Sequence, residues 1–247
     1  MTELIELSRP ATRIVALTGA GISTESGIPD YRGPNGVWAT RKPPTIGDYE
    51  TNLETRKSAW NFRRENYPVM QARQPNLGHL ALAKLEQAGR LQAVITQNID
   101  GLHQKAGNSS DRVIELHGTT HTILCMKSGH RFTGEEIQRR LDAGEEDPHC
   151  PICGGVLRTS TILFGEALPK DALERALAFT KQADLMLVIG TSLVVNPAAR
   201  LPQIAIRAGA KVAIVNREPT PLDDWFDVVY RGDSGPALSQ LADAVIA

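Results

Sequence analysis

The chain has 247 residues, 27 Lys and Arg against 28 Asp and Glu, and only three Cys. That length accommodates one large α/β domain with a smaller lobe inserted, and argues against two independent domains. The near-neutral balance excludes a surface built mainly to neutralise nucleic-acid phosphates, and an odd, small cysteine count excludes an extracellular disulfide framework.

The N-terminal stretch MTELIELSRPATR mixes acids with short apolar pieces and lacks the basic start and apolar core of a secretory signal. No apolar run approaches the roughly twenty residues of a membrane helix. These readings predict a soluble cytoplasmic protein with neither membrane nor nucleic-acid partners.

The first buried-strand candidate is RIVALT, residues 13–18, and it runs into GAGISTESGIPDYRG. Gly19, Ala20 and Gly21 open this loop as a dinucleotide site would, with backbone able to approach a pyrophosphate; the alternative is a tight strand-to-helix turn. The dehydrogenase fingerprint fails, because Thr24 stands where the third glycine belongs and the text some twenty residues on, ATRKPP, has no acid for a ribose. Residues 34–75 follow as an insertion, Pro-rich and then basic and aromatic in TRKSAWNFRRENYPVM.

NLGHLALAKLEQAG predicts a helix capped by Asn76 and stopped by Gly89, with Leu77, Leu80, Ala81, Lys84 and Leu85 near one face. LQAVIT at 91–96 is a strand followed by QNIDGLHQKAG, and RVIEL at 112–116 is a strand followed by His117. An imidazole at the rim of a parallel sheet suits a general base near neutral pH, whereas Asn98 and Asp100 read equally well as turn formers. Residues 119–162 hold Cys125 and the Cys150-x-x-Cys153 knuckle. Ser128 occupies the position that would complete a second knuckle. Zinc on three thiolates plus His130, His149, His121 or water, or a metal-free packed module, are both open; zinc is favoured because short charged segments need a staple.

LMLVIG, KVAIVN and DVVY, at 185–190, 211–216 and 227–230, complete the strand candidates. Between the first two, NPAARLPQIAIRAG reads as a helix capped by Asn196, with Pro197 in its first turn, Pro202 bending it and Gly209 closing it. Strand and helix alternating in this way predict a Rossmann-like doubly wound parallel sheet. Residues 1–33, 76–118 and 163–247 would form it, and 34–75 with 119–162 a smaller lobe.

In order along the chain, GAGIS, GIPDYRGPNGVW, TQNID, LHGTTH, the cysteine module, FGEALP, GTSLVVNPAA and VNREPTPLD resemble the sirtuin family of NAD-dependent protein deacylases. The resemblance covers nearly the whole chain and implies the same fold, with a zinc module and helical insert as its small lobe. It implies that Gly19, Ala20, Gly21, Ile28, Pro29, Asp30, Tyr31 and Arg32 line an NAD loop. Gln97, Asn98, Ile99 and Asp100 would form the nicotinamide and ribose pocket. Gly190, Thr191 and Ser192 would meet phosphate and ribose, and Asn216 and Glu218 the adenosine end. Phe164, Gly165 and Glu166 on one side and Val194, Val195 and Asn196 on the other would admit an acyl-lysine peptide as an added strand. His117 would be the catalytic base, with Asn98 beside it, and Cys125, Cys150 and Cys153 the zinc thiolates.

The implied reaction consumes NAD and yields free lysine, nicotinamide and acylated ADP-ribose. ADP-ribosyl transfer, NAD hydrolysis and a non-catalytic NAD-sensing module are the alternatives. Three positions depart from the family pattern: Tyr31 replaces a frequent phenylalanine, Ser128 replaces a zinc cysteine, and the Tyr-x-x-Arg pair that grips succinyl or malonyl groups is absent near Arg63 and Asn66. Uncharged acyl groups are therefore the expected substrates.

Overall fold

The computed structural model describes residues 1–30, 36 and 44–247. Its elements begin with α1 (Thr2–Ser8), β1 (Ile14–Thr18) and a 3-10 turn, Ala20–Ser26. Next come α2 (Ile46–Thr51), α3 (Leu53–Ala72), α4 (Leu77–Gln87), β2 (Leu91–Thr96), α5 (Leu102–Ala106) and β3 (Val113–Glu115). A short module contains β4 (Thr122–Cys125), β5 (Arg131–Thr133), α6 (Gly134–Asp142) and β6 (Leu157–Thr159). The chain finishes with α7 (Lys170–Gln182), β7 (Leu185–Ile189), α8 (Leu201–Arg207), β8 (Lys211–Val215), β9 (Val228–Tyr230) and α9 (Ser234–Ile246).

All six apolar runs become strands of one parallel sheet, ordered β3-β2-β1-β7-β8-β9. Successive side chains of a strand point to opposite faces, so a run apolar at every position requires cover on both. Ile14 and Ala16 face one core, with Leu82 and Leu85 of α4 and Leu238 and Leu241 of α9. Val15 and Leu17 face the other, with Ala176 of α7 and Leu201 and Ala205 of α8. Because β2 and β7 flank β1, the strand order reverses there and opens a crevice beyond the strands' carboxyl ends.

The cysteine segment builds a separate antiparallel sheet, β5-β4-β6. Its core joins Ile123, Leu157, Ile137 and Leu141 to Trp60 of α3, and includes Cys125 and Cys150. Trp60, Arg63 and Tyr67 form the buried stripe of α3, spaced as one helical face. Among the described residues, no helix is long and apolar enough to cross a membrane.

Two helix readings need correction. In α4 the buried residues are Gly78, His79, Ala81, Leu82, Ala83 and Leu85, whereas Leu77 and Leu80 are 53% and 47% exposed. The helix packs beneath α9 and turns the polar His79 inward, a choice that a count of apolar side chains does not register. At the other helix Asn196 supplies no side-chain cap; the segment opens as a 3-10 turn, Ala198–Arg200, and α8 starts at Leu201. Pro202 thus sits in a first turn, where the missing N–H has no helical partner to lose.

Candidate functional site

Loops after β1, β2, β3, β7 and β8 share the carboxyl edge of the sheet. The first and fourth touch directly: Gly19 N–H donates to Ile189 O at 3.0 Å and Gly21 N–H to Gly190 O at 2.8 Å. A Cβ on Gly21 would lie 2.7 Å from Gly190 Cα, and one on Gly19 would lie 2.7 Å from Gly190 O. These glycines are thus required by loop packing, which neither the pyrophosphate reading nor the tight-turn reading anticipated. The bond from Gln97 Nε2 to Thr191 Oγ1, 3.0 Å, ties the β2 loop to the β7 loop.

Asn98 and Asp100 are buried at this junction, at 5% and 8% exposure. Asn98 Nδ2 donates to Gly19 O at 3.2 Å and Ser23 Oγ at 3.1 Å. Asp100 accepts from Ser23 Oγ at 2.7 Å and, through its other oxygen, from Leu102 N–H at 2.9 Å. Turn chemistry thus occupies one oxygen of Asp100, and the other binds the first loop. Behind them, Thr18 Oγ1 meets Thr96 Oγ1 at 2.9 Å and His103 Nε2 at 3.0 Å, and Ser23 Oγ lies 3.4 Å from His79 Nε2.

Burial holds His79 down to about 4 against the opposing pull of Asp100, and holds His103 well below its usual range, aided by His79. Both imidazoles are therefore neutral at pH 7. The sequence reading passed over this pair; the available signal was a histidine interrupting the apolar text of NLGHLAL, whereas the polar GLHQKAG offered none for His103.

His117 is half-buried at the end of β3, where burial lowers its pKa and the bond to Gln97 partly restores it. Nδ1 lies 3.1 Å from Gln97 O. A carbonyl can only accept, so Nδ1 carries the proton and Nε2 keeps its lone pair.

Around the crevice, Asn216 Nδ2 donates to Glu218 O at 2.7 Å, closing the β8 loop on itself. Phe164 and Val194 are large apolar side chains 42% and 50% exposed. Phe164 bridges to Thr45, and Ile46 N–H donates to Phe164 O at 3.1 Å. The Glu166 carboxylate is engaged by Arg158 and by Leu163 N–H. Ile28 N–H donates to Ser23 O at 3.2 Å, Ile99 O accepts from Thr120 N–H at 3.2 Å, and Val195 O accepts from Ala199 N–H at 2.9 Å. Tyr31 and Arg32 lie outside the described residues.

In the small lobe, Cys125, His130, Cys150 and Cys153 bring their ligand atoms within 4.8 Å of one another. Tetrahedral zinc, with bonds of about 2.3 Å to sulfur and 2.0–2.1 Å to nitrogen, sets ligand atoms roughly 3.4–3.8 Å apart. Cys125 Sγ to Cys153 Sγ is 3.5 Å and His130 Nδ1 to Cys150 Sγ is 3.4 Å, so the donor set fits. Burial raises the Cys125 thiol, but hydrogen bonds from Ser128, Cys153 and Lys127 outweigh it and bring the group down to about 6.

The other histidines considered for the fourth position lie elsewhere. His121 Nε2 donates to Asp100 O at 2.9 Å and His149 Nδ1 to Gly154 O at 3.0 Å. Arg63, at the position examined for acyl selectivity, donates to Thr120 O and Oγ1 and to Gly134 O at 2.8–3.0 Å. It joins α3 to the cysteine module and is 5% exposed.

The Sir2 family model matches residues 19–197. An NAD-dependent protein deacetylase 1 of Bradyrhizobium diazoefficiens is 44% identical over 228 residues, covering 92% of this chain and 89% of that protein. The NAD-dependent protein deacetylase of Thermotoga maritima is 44% identical over 234 residues, covering 94% and 93%. A solved Sir2 complex with p53 peptide and NAD+ superposes with TM-score 0.88 at 40% identity, over 98% of this chain and 97% of that one. Sir2 bound to acetylated peptide superposes with TM-score 0.87 at 39% identity, again over 98% and 97%. Matched by the Sir2 family model over residues 19–197 and superposing on solved Sir2 structures along nearly its whole length, the chain belongs to the Sir2 family.

Proposed function

We propose that the protein removes acetyl and other uncharged acyl groups from lysine side chains, consuming NAD and releasing nicotinamide and O-acyl-ADP-ribose. NAD, as co-substrate, supplies the ribose carbon that captures the acyl oxygen while its bond to nicotinamide breaks. The loop at Gly19, Ala20 and Gly21, packed against the β7 loop, lines the phosphate pocket with Thr191 and Ser192; Asn98 and Asp100 orient ribose and carboxamide. His117 Nε2 would take the proton of a ribose hydroxyl, activating that oxygen toward the acyl carbon. Water then completes release of the lysine.

The observation that carries this reading is the His117 tautomer. With Nδ1 tethered to Gln97 O, the free lone pair is on Nε2, and burial keeps the ring neutral at pH 7. A base of this kind contributes roughly 10²- to 10⁴-fold. Activity should therefore rise with pH through a midpoint below about 6.5, the ordinary histidine value, because burial moves the titration lower.

The peptide is read as adding between Phe164 and Val194, whose apolar surfaces suit a neutral acyl chain better than a charged one. Residues 1–33, 76–118 and 163–247 are assigned to the NAD lobe, and 34–75 with 119–162 to the small lobe, on the strength of the Arg63 clamp between α3 and the cysteine module. A cytoplasmic setting suits three thiols that must stay reduced to bind metal.

Incubation with NAD and a panel of acyl-lysine peptides tests the reading. Acetyl and longer neutral chains should turn over, succinyl should not, and mass spectrometry should find acylated ADP-ribose. His117→Ala should lose at least about 100-fold in kcat/KM with an unchanged melting temperature. Free ADP-ribose, or ADP-ribose on protein, as the main product would overturn the deacylase assignment in favour of hydrolysis or transfer. Normal turnover by the variant would overturn the assigned base.

A further inference from the structure

The two cysteine knuckles follow one pattern, and the difference between them identifies a ligand. In the first, Cys125 O accepts from Gly129 N–H at 2.8 Å, and Cys125 N–H donates to His130 O at 2.8 Å. In the second, Cys150 O accepts from Gly154 N–H at 2.9 Å, and Cys150 N–H donates to Gly155 O at 2.7 Å. Gly129 and Gly154 both turn through the left-handed region, at φ 70° and 69°. Counting from each leading cysteine, Ser128 therefore matches Cys153, and His130 matches Gly155.

The Gly155 position faces the cluster closely: a Cβ there would stand 2.8 Å from Cys125 Sγ and 3.4 Å from Cys153 Sγ. The equivalent position of the first knuckle holds an imidazole, whose Nδ1 lies 3.4 Å from Cys150 Sγ. Ser128 Oγ is 3.2 Å from both Cys125 Sγ and Cys153 Sγ and 2.8 Å from His130 Nδ1. A neutral serine hydroxyl is a poor zinc ligand, but its proton can be donated to a thiolate, leaving the Nδ1 lone pair for the metal.

We infer that zinc here is held by three cysteines and His130 Nδ1, the histidine replacing a cysteine lost at position 128, while Ser128 acts from outside the coordination shell as a hydrogen-bond donor to Cys125. The inference rests on reading the cluster as a zinc site.

Metal binding by the 247-residue chain tests it without recourse to activity. The protein should hold about one zinc per chain, and its cobalt(II) form should show the absorption of three thiolates and one nitrogen. His130→Ala should weaken zinc by more than about 100-fold in competition with a chelator, exceeding the 10- to 100-fold cost of losing an outer partner. Ser128→Ala should stay within that smaller range and leave the cobalt bands in place. If His130→Ala does not fold, the double variant Ser128→Cys with His130→Ala decides: it should regain tight binding, with bands shifted to those of four thiolates.

Unchanged affinity and spectrum in His130→Ala, or loss of the nitrogen signature in Ser128→Ala, would overturn the ligand assignment. A 247-residue chain that binds no zinc would overturn the zinc reading itself.

Discussion

The two sheets of this protein are stabilised by different means. Every residue of β1 and β7 is buried, and apolar helices cover both faces of the parallel sheet. The antiparallel sheet rests on a small cluster that counts two cysteines of the candidate metal site among its buried residues. Polar ties supplement it: Arg63 reaches Thr120 and Gly134, and Arg56 pairs with Asp147 at 3.1 Å. With so little apolar surface to bury, the small lobe is the one in which a metal staple would matter, whereas the larger lobe buries two apolar faces.

Chelation should separate the two most sharply. Structural zinc in small modules is worth on the order of 10 kcal/mol. Stripping it should open the amides of β4, β5 and β6 to hydrogen exchange while β1, β2, β7 and β8 remain protected. Equal loss of protection in both sheets would show that the lobes unfold as one.

Acid should act on the other lobe. His79 and His103 are buried and neutral, so below pH 6.5 the unfolded chain binds more protons than the folded one. Stability should be complete above pH 6.5 and fall as pH drops, at up to about 1.4 kcal/mol per pH unit for each histidine. His79 should stop contributing near its folded value of about 4. Denaturant melts at stepped pH, with His79→Gln flattening the slope, check the sign.

Leu187→Ala, at a fully buried position in the sheet, should cost about 2–5 kcal/mol in a denaturant melt and leave the zinc affinity unchanged. At the bottom of the scale, Lys84 and Asp243 pair at 2.6 Å with more than half of each side chain exposed. Asp243→Asn should cost less than about 1 kcal/mol, and added salt should erase the difference.

Much of the crevice was legible before any coordinates. The text after each strand candidate is polar or glycine-rich, and in a parallel sheet those stretches must gather at one edge. His117, Asn98 and Asp100 were found that way. His79 and His103 were not, because each sits in a helical segment and its partners, Ser23 and Thr18, lie 56 and 85 residues away in the chain.

By itself the sequence determined the parallel sheet, since unbroken β-branched runs cannot face water on either side. It likewise kept Cys150 and Cys153 together, because cysteines three residues apart stay close however the module folds, whereas folding brought Cys125 to them. Tertiary structure alone brought His130, and not His121 or His149, to the three cysteines, turned α4 onto its Leu82 and Leu85 face, and set Gly21 against Gly190. Those outcomes depend on contacts between distant segments, and local periodicity carries no record of which distant atom a side chain will meet.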